Sequence, residues 1–378
     1  MRPRRLAFAA ALGCFALAGS PSTGQTLPPR PEARGLSRVD AARAPRVALV
    51  ATAPGALHSS LYVVGPGDAS PAPLATFTHA AGATARAALV PGTTTVFAIA
   101  DTAETRDASF DASLFRLAPH APPERLCDGV VHASRPVVRA DGRVFVSRGQ
   151  AGPEPVAAPR ASMRVDALTV DEVDPVTGAV RTVHATNGYL AHLAGAHGAE
   201  ILVYRIRPTG ADVVAIDPDT RATRVILPAL PPFARDFSVD DATGTLVFQG
   251  RHESDPHVWT IESVDLASGR RTRLRESASM SLVPHALRGG RVAWSRDGRD
   301  GLTILGAPGR GGPLGAGADW VVASSDDGRW IGALHTVQGA IGVPFVLDLA
   351  SGDAFVLPAP PGARVAIAGF VPTEGGAL

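Results

Sequence analysis

Histidine and acidic residues gather in the segments between apolar runs, and these residue types can bind metal ions or transfer protons. The densest such segment is RHESDPHVW at 251–259. Its ionisable side chains are Arg251, His252, Glu253, Asp255 and His257. A second segment, ADTAETRDASFDAS at 100–113, adds Asp101, Asp107 and Asp111. These groups would contact a polar ligand if the fold brought them to one surface.

Further histidines lie singly in similar segments: His58, His79, His132, His184 and His335. We interpret all of these residues as candidates for one ligand- or partner-binding face. In an alternative interpretation, His58, His132 and His335 hold one divalent metal ion and serve a metal-dependent lyase or hydrolase. A third interpretation assigns them no site at all, because long loops collect polar residues whatever their function.

Other kinds of chemistry find little support in the sequence. No Gly-x-Ser-x-Gly elbow, P-loop or Gly-x-Gly-x-x-Gly motif is present. Cys14 and Cys127 are the only cysteines, so the sequence contains no Cys/His zinc cluster and no Cys-x-x-Cys motif. The formal net charge of +1, with no basic stripe, argues against nucleic-acid binding. We therefore expect no cofactor, assign no catalytic residue and favour a binding protein over an enzyme.

Short strands must position these segments. From Arg46 onward, brief apolar or alternating runs recur between Gly, Asp and Pro, which is typical of an all-β protein. Asp-x-x-x-Gly turns lie at 174–178, 265–269 and 348–352, and DPDTR at 217–221 is a variant of them. With this variant, the turns recur at intervals of about 45 residues or twice that. In such a turn, Asp accepts backbone hydrogen bonds and Gly takes a positive φ, so we assign both residues a structural role.

That repeat length predicts a β-propeller of four-stranded antiparallel blades. Counting the strand–turn–strand segments gives seven blades over residues 46–372. The first unit begins without an inner strand, and the segment 363–372 ends the chain as an unpaired one. We therefore expect 363–372 to complete blade one and to close the ring.

In each blade the chain is expected to run from an inner strand A through B and C to an outer strand D. The D–A and B–C connections then share one face, which we call the loop face. The A–B and C–D turns share the opposite face, which we call the turn face. The candidate residues above fall in or beside the connections of the loop face, whereas the Asp–Gly turns belong to the turn face.

Two stretches resemble the TolB-like and WD-repeat-like β-propeller family: RVAWSRDGRDGLTIL at 291–305 and SDDGRWIGAL at 325–334. Repeats of that family carry a Ser-Pro-Asp-Gly-Lys-x-Ile-Ala-Phe type of stretch, which Asp327, Gly328 and Ile331 match. The resemblance implies the fold and an exported role in binding a protein or another cell-envelope component, and it carries over no catalytic residue. Only a short tether precedes the first strand, so the amino-terminal domain of TolB is not expected here.

The amino-terminal residues 1–18 have a basic start, a short apolar run and small residues after it, as in an export signal. The sequence ALA favours cleavage before Gly19, whereas ALGC resembles a lipobox that would make Cys14 the lipidated first residue. Residues 19–45 indicate a Pro- and Ser-rich tether, and 373–378 a C-terminal tail. We expect a protein of the periplasm or cell surface, anchored to the outer membrane only if Cys14 is lipidated.

Overall fold

The computed structural model describes most of the chain from residue 44 onward, within one compact unit, Pro31–Leu378. The described residues are 44–69, 71–80, 85–102, 112–131, 134–150, 167–186, 189–207, 209–230, 234–279, 282–295, 301–306, 313–337 and 342–372. The expected export signal with Cys14, nearly all of the tether and the C-terminal tail lie outside these residues.

Strands provide all the regular secondary structure of the described residues, which confirms the all-β prediction. The strands are β1 (Val47–Thr52), β2 (His58–Val64), β3 (Ala75–Thr78), β4 (Arg86–Leu89), β5 (Val96–Asp101), β6 (Ala112–Leu117), β7 (Glu124–Val130), β8 (Val137–Val138), β9 (Val144–Gln150), β10 (Ala167–Val173), β11 (Val180–Ala185), β12 (Leu190–His197), β13 (Glu200–Arg207), β14 (Gly210–Ile216), β15 (Thr223–Leu230), β16 (Arg235–Asp240), β17 (Thr245–Arg251), β18 (Trp259–Asp265), β19 (Arg271–Ser277), β20 (Pro284–Leu287), β21 (Arg291–Ser295), β22 (Leu302–Ile304), β23 (Ala318–Ser324), β24 (Trp330–Thr336), β25 (Val343–Asp348), β26 (Ala354–Val356) and β27 (Arg364–Phe370). Accordingly, this part of the chain contains no helix that is long and apolar enough to cross a membrane.

The strands form antiparallel sheets, most of them with four strands in chain order. The four-stranded sheets are β27-β1-β2-β3, β12-β13-β14-β15, β16-β17-β18-β19 and β23-β24-β25-β26. A three-stranded sheet has the order β20-β21-β22. A longer sheet runs β11-β10-β9-β7-β6-β5-β4, with β8 paired to β9. Its two halves are joined between β7 and β9 only by the pairing of Val130 with Arg148.

The C-terminal strand belongs to the same sheet as the first strand. β27 pairs with β1 in antiparallel fashion from Thr52–Arg364 to Val47–Phe370, with one irregularity between Ala48 and Leu49. The two ends of the described chain are therefore held together by a full ladder of backbone hydrogen bonds.

We call the strand that begins each run of consecutively paired strands its inner strand. The inner strands are β27, β4, β8, β12, β16, β20 and β23. Each contacts the next along the chain, from β4 through β8, β12, β16 and β20 to β23, and β27 contacts both β23 and β4. Successive inner strands are therefore neighbours.

The apolar core lies between the faces of successive sheets. Large side chains such as Phe97, Phe145, Phe248 and Phe345 are fully buried there. Cys127 is buried in one of these clusters, and burial raises the pKa of its thiol to about 11. The thiol is therefore a core group rather than a nucleophile, as the sequence predicted.

The Asp-x-x-x-Gly turns have the structural role expected from the sequence. The Asp174 carboxylate accepts the backbone N–H groups of Val176 and Thr177 at 2.8 and 2.7 Å, and these bonds hold its pKa below the ordinary value. Gly178 has a φ of +71°, and a Cβ atom there would lie 2.6 Å from the Leu126 carbonyl oxygen. Only glycine meets both demands without movement of the backbone.

Candidate functional site

The loop between β17 and β18 is held by ion pairs to the outer strand β19. Glu253 lies 2.8 Å from Arg273 and 3.0 Å from Arg271, and the hydrogen bond from Arg273 leads the effects that lower the pKa of Glu253. His252 Nε2 lies 3.4 Å from Glu276. The loop therefore has a defined shape on the loop face.

The remaining candidates of this loop contribute to the same shape. The Arg251 guanidinium lies over the Trp259 ring, 4.4 Å from its centroid, and donates to the Pro256 carbonyl. The Asp255 carboxylate accepts the backbone N–H of His257 at 2.9 Å. The His257 residue is exposed, so its imidazole is available to a partner.

His79 lies in a buried chain of hydrogen bonds. Its Nδ1 donates to the Ala80 carbonyl at 2.8 Å, so its Nε2 accepts the Ser59 hydroxyl at 2.8 Å. Ser59 in turn accepts a hydrogen bond from Thr52 at 2.6 Å. A Ser–His pair at this distance could serve a nucleophile, but Ser59 is 0% exposed and no substrate reaches it. The geometry assigns His79 a structural role.

His335 is also buried, and it pairs with a carboxylate. Its Nδ1 lies 2.7 Å from Asp319 Oδ1, and both residues are almost fully buried. The backbone of Gly317 packs so tightly on the ring that a Cβ there would lie 2.8 Å from Nε2. An Asp–His pair can act as a general base only where the outer nitrogen meets a substrate, so this pair also holds the fold together.

Three other candidates lie at strand ends. His58 begins β2 and is exposed, and Asp101 ends β5 and is half-buried. His184 lies in β11 with its Nε2 3.2 Å from the Tyr189 hydroxyl, and burial is the first cause of its lowered pKa. The candidates outside the described residues are Asp107, Asp111 and His132.

The histidines of the alternative metal interpretation occupy unlike surroundings. His58 is exposed, His335 is buried against Asp319, and His132 is outside the described residues. Within the part of the chain that the structure describes, no group of three or more His, Cys, Asp or Glu side chains is arranged to hold a metal ion.

Charged side chains converge at the starts of the inner strands, and we call four of these residues the central cluster. Arg86 begins β4, Arg135 lies just before β8, Asp236 is the second residue of β16 and His285 the second of β20. Each of these positions lies at or near the start of an inner strand, on the side that the sequence analysis assigned to the loop face.

Arg135 spans the opening between inner strands. Its Nε donates to the carbonyl of Ala87 at 2.9 Å and its Nη1 to that of Val322 at 3.2 Å. Its Nη2 lies 3.4 Å from the carbonyls of both Ile367 and Ala368. These acceptors belong to β4, β23 and β27, so one guanidinium group joins inner strands of three sheets.

The electrostatics show that the cluster residues face one another. Arg135 is exposed at the opening, but desolvation by the surrounding protein, with a contribution from the Arg86 charge, lowers its pKa to about 10. Asp236 is also exposed there; desolvation raises its pKa, and the charges of Arg235 and Arg86 partly offset this. Each of the two groups therefore feels a charge carried by an inner strand that is distant in sequence.

His285 completes the cluster. Burial, with a contribution from the Arg135 charge, lowers its pKa to about 3, so the imidazole is neutral at physiological pH. Its Nδ1 lies 3.3 Å from the Ser238 hydroxyl, which also accepts the Ala286 N–H at 3.1 Å. The Ser238 hydrogen can then point to Nδ1, leaving the ring proton on Nε2.

Asp236 adopts an unusual backbone conformation. Its φ is +53°, in the left-handed region that non-glycine residues seldom occupy, and the pairing of β16 with β17 is irregular after Arg235. The carboxylate lies 3.2 Å from the Arg235 guanidinium. Strain of this kind at a surface opening is often retained for function.

The sequence analysis singled out none of the four residues of the central cluster as a candidate. A signal was present, since several inner strands begin with arginine or closely follow one. These arginines are Arg86, Arg135, Arg235 and Arg364. Aligning the repeats on their inner strands would have revealed the recurrence.

Comparison with known proteins supports the fold. No protein-family model and no curated protein matches the chain. TolB from Acinetobacter baumannii aligns with 86% of this chain and 67% of its own, at 12% identity and a TM-score of 0.51. A prolyl endopeptidase aligns with 85% of this chain at 14% identity and a TM-score of 0.54, and the aligned region covers 50% of the peptidase chain.

A third similar structure is a Bacteroides fragilis protein with a provisional assignment as a 6-phosphogluconolactonase. It aligns over 88% of this chain and 99% of its own, at 11% identity and a TM-score of 0.51. At such identities the likeness shows the fold alone: the chain has a β-propeller fold similar to that of TolB.

Proposed function

We propose that the chain is an exported binding or scaffold protein of the cell envelope, whose loop face contacts a protein or another envelope component. In this proposal the propeller has seven blades, the ring is closed by β27, and no catalytic step is involved.

The blade count is supported by the inner strands. Seven inner strands contact one another in sequence order, with β27 touching both β23 and β4. The longer sheet then corresponds to two blades joined by the Val130–Arg148 pairing, and the three-stranded sheet to a blade whose described strands are β20, β21 and β22.

One observation carries the choice of the loop face. The central cluster brings charged side chains of several inner strands together at the starts of those strands, where the D–A connections meet. By contrast, the two His pairs that resemble catalytic groups are buried and occupied by internal hydrogen bonds. The accessible polar groups of this face are therefore suited to contacting a ligand rather than to transforming one.

The export part of the proposal has its own test. Mass measurement of the mature amino terminus after expression in a Gram-negative host is expected to show a chain beginning at Gly19. A diacylglyceryl-modified Cys14 would instead establish a lipid-anchored protein, and an intact Met1 would contradict export.

The binding face is tested by affinity capture from envelope extracts with matched variants. The loop-face variant carries Arg86→Gln and His257→Ala, and the turn-face control carries Val176→Ser and Asp326→Asn. Val176 is 70% exposed, and the Asp326 side chain is 94% exposed. Thermal unfolding of the variants verifies that each one folds.

The proposal predicts that the control captures the same components as the wild-type protein and that the loop-face variant loses them. If both variants capture the same components, if the control alone loses them, or if the wild type captures none, the assigned face is wrong.

A further inference from the structure

We propose that the central cluster binds a small oxyanion, a molecule carrying carboxylate or phosphate groups, between Arg86, Arg135 and His285. This inference rests on the proposed function, because it assigns a ligand to the centre of the same face.

The charges of the cluster do not balance. Asp236 is matched by Arg235 at 3.2 Å, so this pair contributes no net charge when both groups are ionised. Arg135 is bonded only to neutral carbonyl groups among the described residues, so its positive charge is not compensated. Arg86 has no hydrogen bond or ion pair within the described part of the chain and is exposed. Among the described residues, the positive charges of Arg86 and Arg135 therefore meet at one opening where the one carboxylate, Asp236, is already paired with Arg235.

The groups that surround the opening are mostly hydrogen-bond donors. A guanidinium has five N–H groups and no acceptor, and Arg135 is already oriented by its bonds to three sheets. The neutral His285 ring adds Nε2–H when Ser238 donates to Nδ1.

An oxyanion fits this set of donors better than a cation or a neutral ligand. Carboxylate and phosphate oxygens accept paired hydrogen bonds from guanidinium groups in a planar arrangement. A divalent cation would be repelled by Arg86 and Arg135, and within the described part of the chain the cluster offers it a single carboxylate, Asp236. The pre-set orientation of Arg135 also lowers the entropic cost of binding.

Isothermal titration calorimetry of the mature chain at low ionic strength tests the proposal with succinate, citrate and inorganic phosphate as separate probes. The variant is Arg86→Gln, which removes the free charge. The matched control is Arg270→Gln, an exposed arginine of the β18–β19 turn on the turn face. Thermal unfolding of each variant, with and without probe, shows whether the fold is intact and provides a second measure of binding.

We expect at least one probe to bind to the wild type and to Arg270→Gln alike, and at least tenfold more weakly to Arg86→Gln. Preference for succinate or citrate over phosphate assigns a carboxylate ligand, and the reverse assigns a phosphate. The inference is overturned if no probe binds, or if the two variants weaken binding equally. If the wild type binds none of the probes but its face-dependent capture in the envelope experiment is intact, this inference alone is overturned, whereas absence of face-dependent capture would overturn the proposed function.

Discussion

Replacing Arg135 with Met is expected to destabilise the fold by about 3 kcal/mol. The change removes hydrogen bonds to the carbonyls of Ala87 at 2.9 Å and Val322 at 3.2 Å. It also removes a longer, shared bond to Ile367 and Ala368, at 3.4 Å each. A hydrogen bond to a charged group contributes a net of roughly 1.5–3 kcal/mol. Water entering the opening can satisfy some of the freed carbonyls, and loss of the repulsion from Arg86 offsets part of the cost.

The matched control for this change is Arg86→Met at the neighbouring inner strand. Arg86 makes no hydrogen bond or ion pair within the described residues and shares the same opening. Its replacement should alter the free energy of unfolding by no more than about 0.5 kcal/mol, as for most surface changes. Urea unfolding monitored by tryptophan fluorescence measures both variants against the wild type.

The reasoning is refuted if the two variants have the same stability. It is also refuted if Arg135→Met is as stable as the wild type, because the guanidinium would then not join the inner strands of different sheets. A large loss with Arg86→Met alone would mean that Arg86, rather than Arg135, stabilises the centre of the fold.

The remaining predictions concern pH, glycine and metal. Burial lowers the pKa of His285 from 6.5 to about 3, so the neutral ring contributes fully to stability above pH 6.5 and this contribution is lost as the pH falls towards 3. Acid unfolding followed by circular dichroism should therefore show that His285→Gln is less sensitive to acid than the wild type. An unchanged acid profile would contradict this. Gly178→Ala should lower the free energy of unfolding by at least about 2 kcal/mol more than Gly92→Ala does. Both glycines have a positive φ, but of the two only Gly178 has a backbone oxygen 2.6 Å from the new Cβ. Equal melting temperatures of the two variants would contradict the turn geometry. Dialysis against EDTA should leave the melting temperature unchanged, whereas a stoichiometric metal whose removal lowers it would favour the lyase or hydrolase alternative.

Much of the fold could be predicted from the sequence because strand and turn signals are local. The period-two runs and the Asp–Gly turns depend on residues that are close in sequence. The pairing of β27 with β1 was expected because the first unit lacked an inner strand and the last segment lacked partners.

The site was less predictable because it depends on which way a side chain points at the end of a strand. His335 lies one residue before the end of β24, and it is buried because Asp319 on β23 accepts its Nδ1–H. His79 is buried by Ser59 in the same way. The partners are 16 and 20 residues away, so no local pattern indicates the contact.

The central cluster was missed for a related reason. Arg86 and Asp236 influence each other only because β4 and β16, inner strands of two different sheets, face the same opening. Arginine at a strand start is also unremarkable in a chain that has arginine and no lysine. Arg135 is identified only by its bonds to carbonyls on three other strands.

The most direct test of the binding face is hydrogen–deuterium exchange of the mature chain with and without the envelope component that it captures. Binding at the loop face predicts slower exchange in the loop 251–257 and at the starts of the inner strands β4, β16 and β20. The turns at 174–178 and 265–269 should exchange at the same rate with and without the component. Protection confined to those turns would place the contact on the turn face and contradict the account.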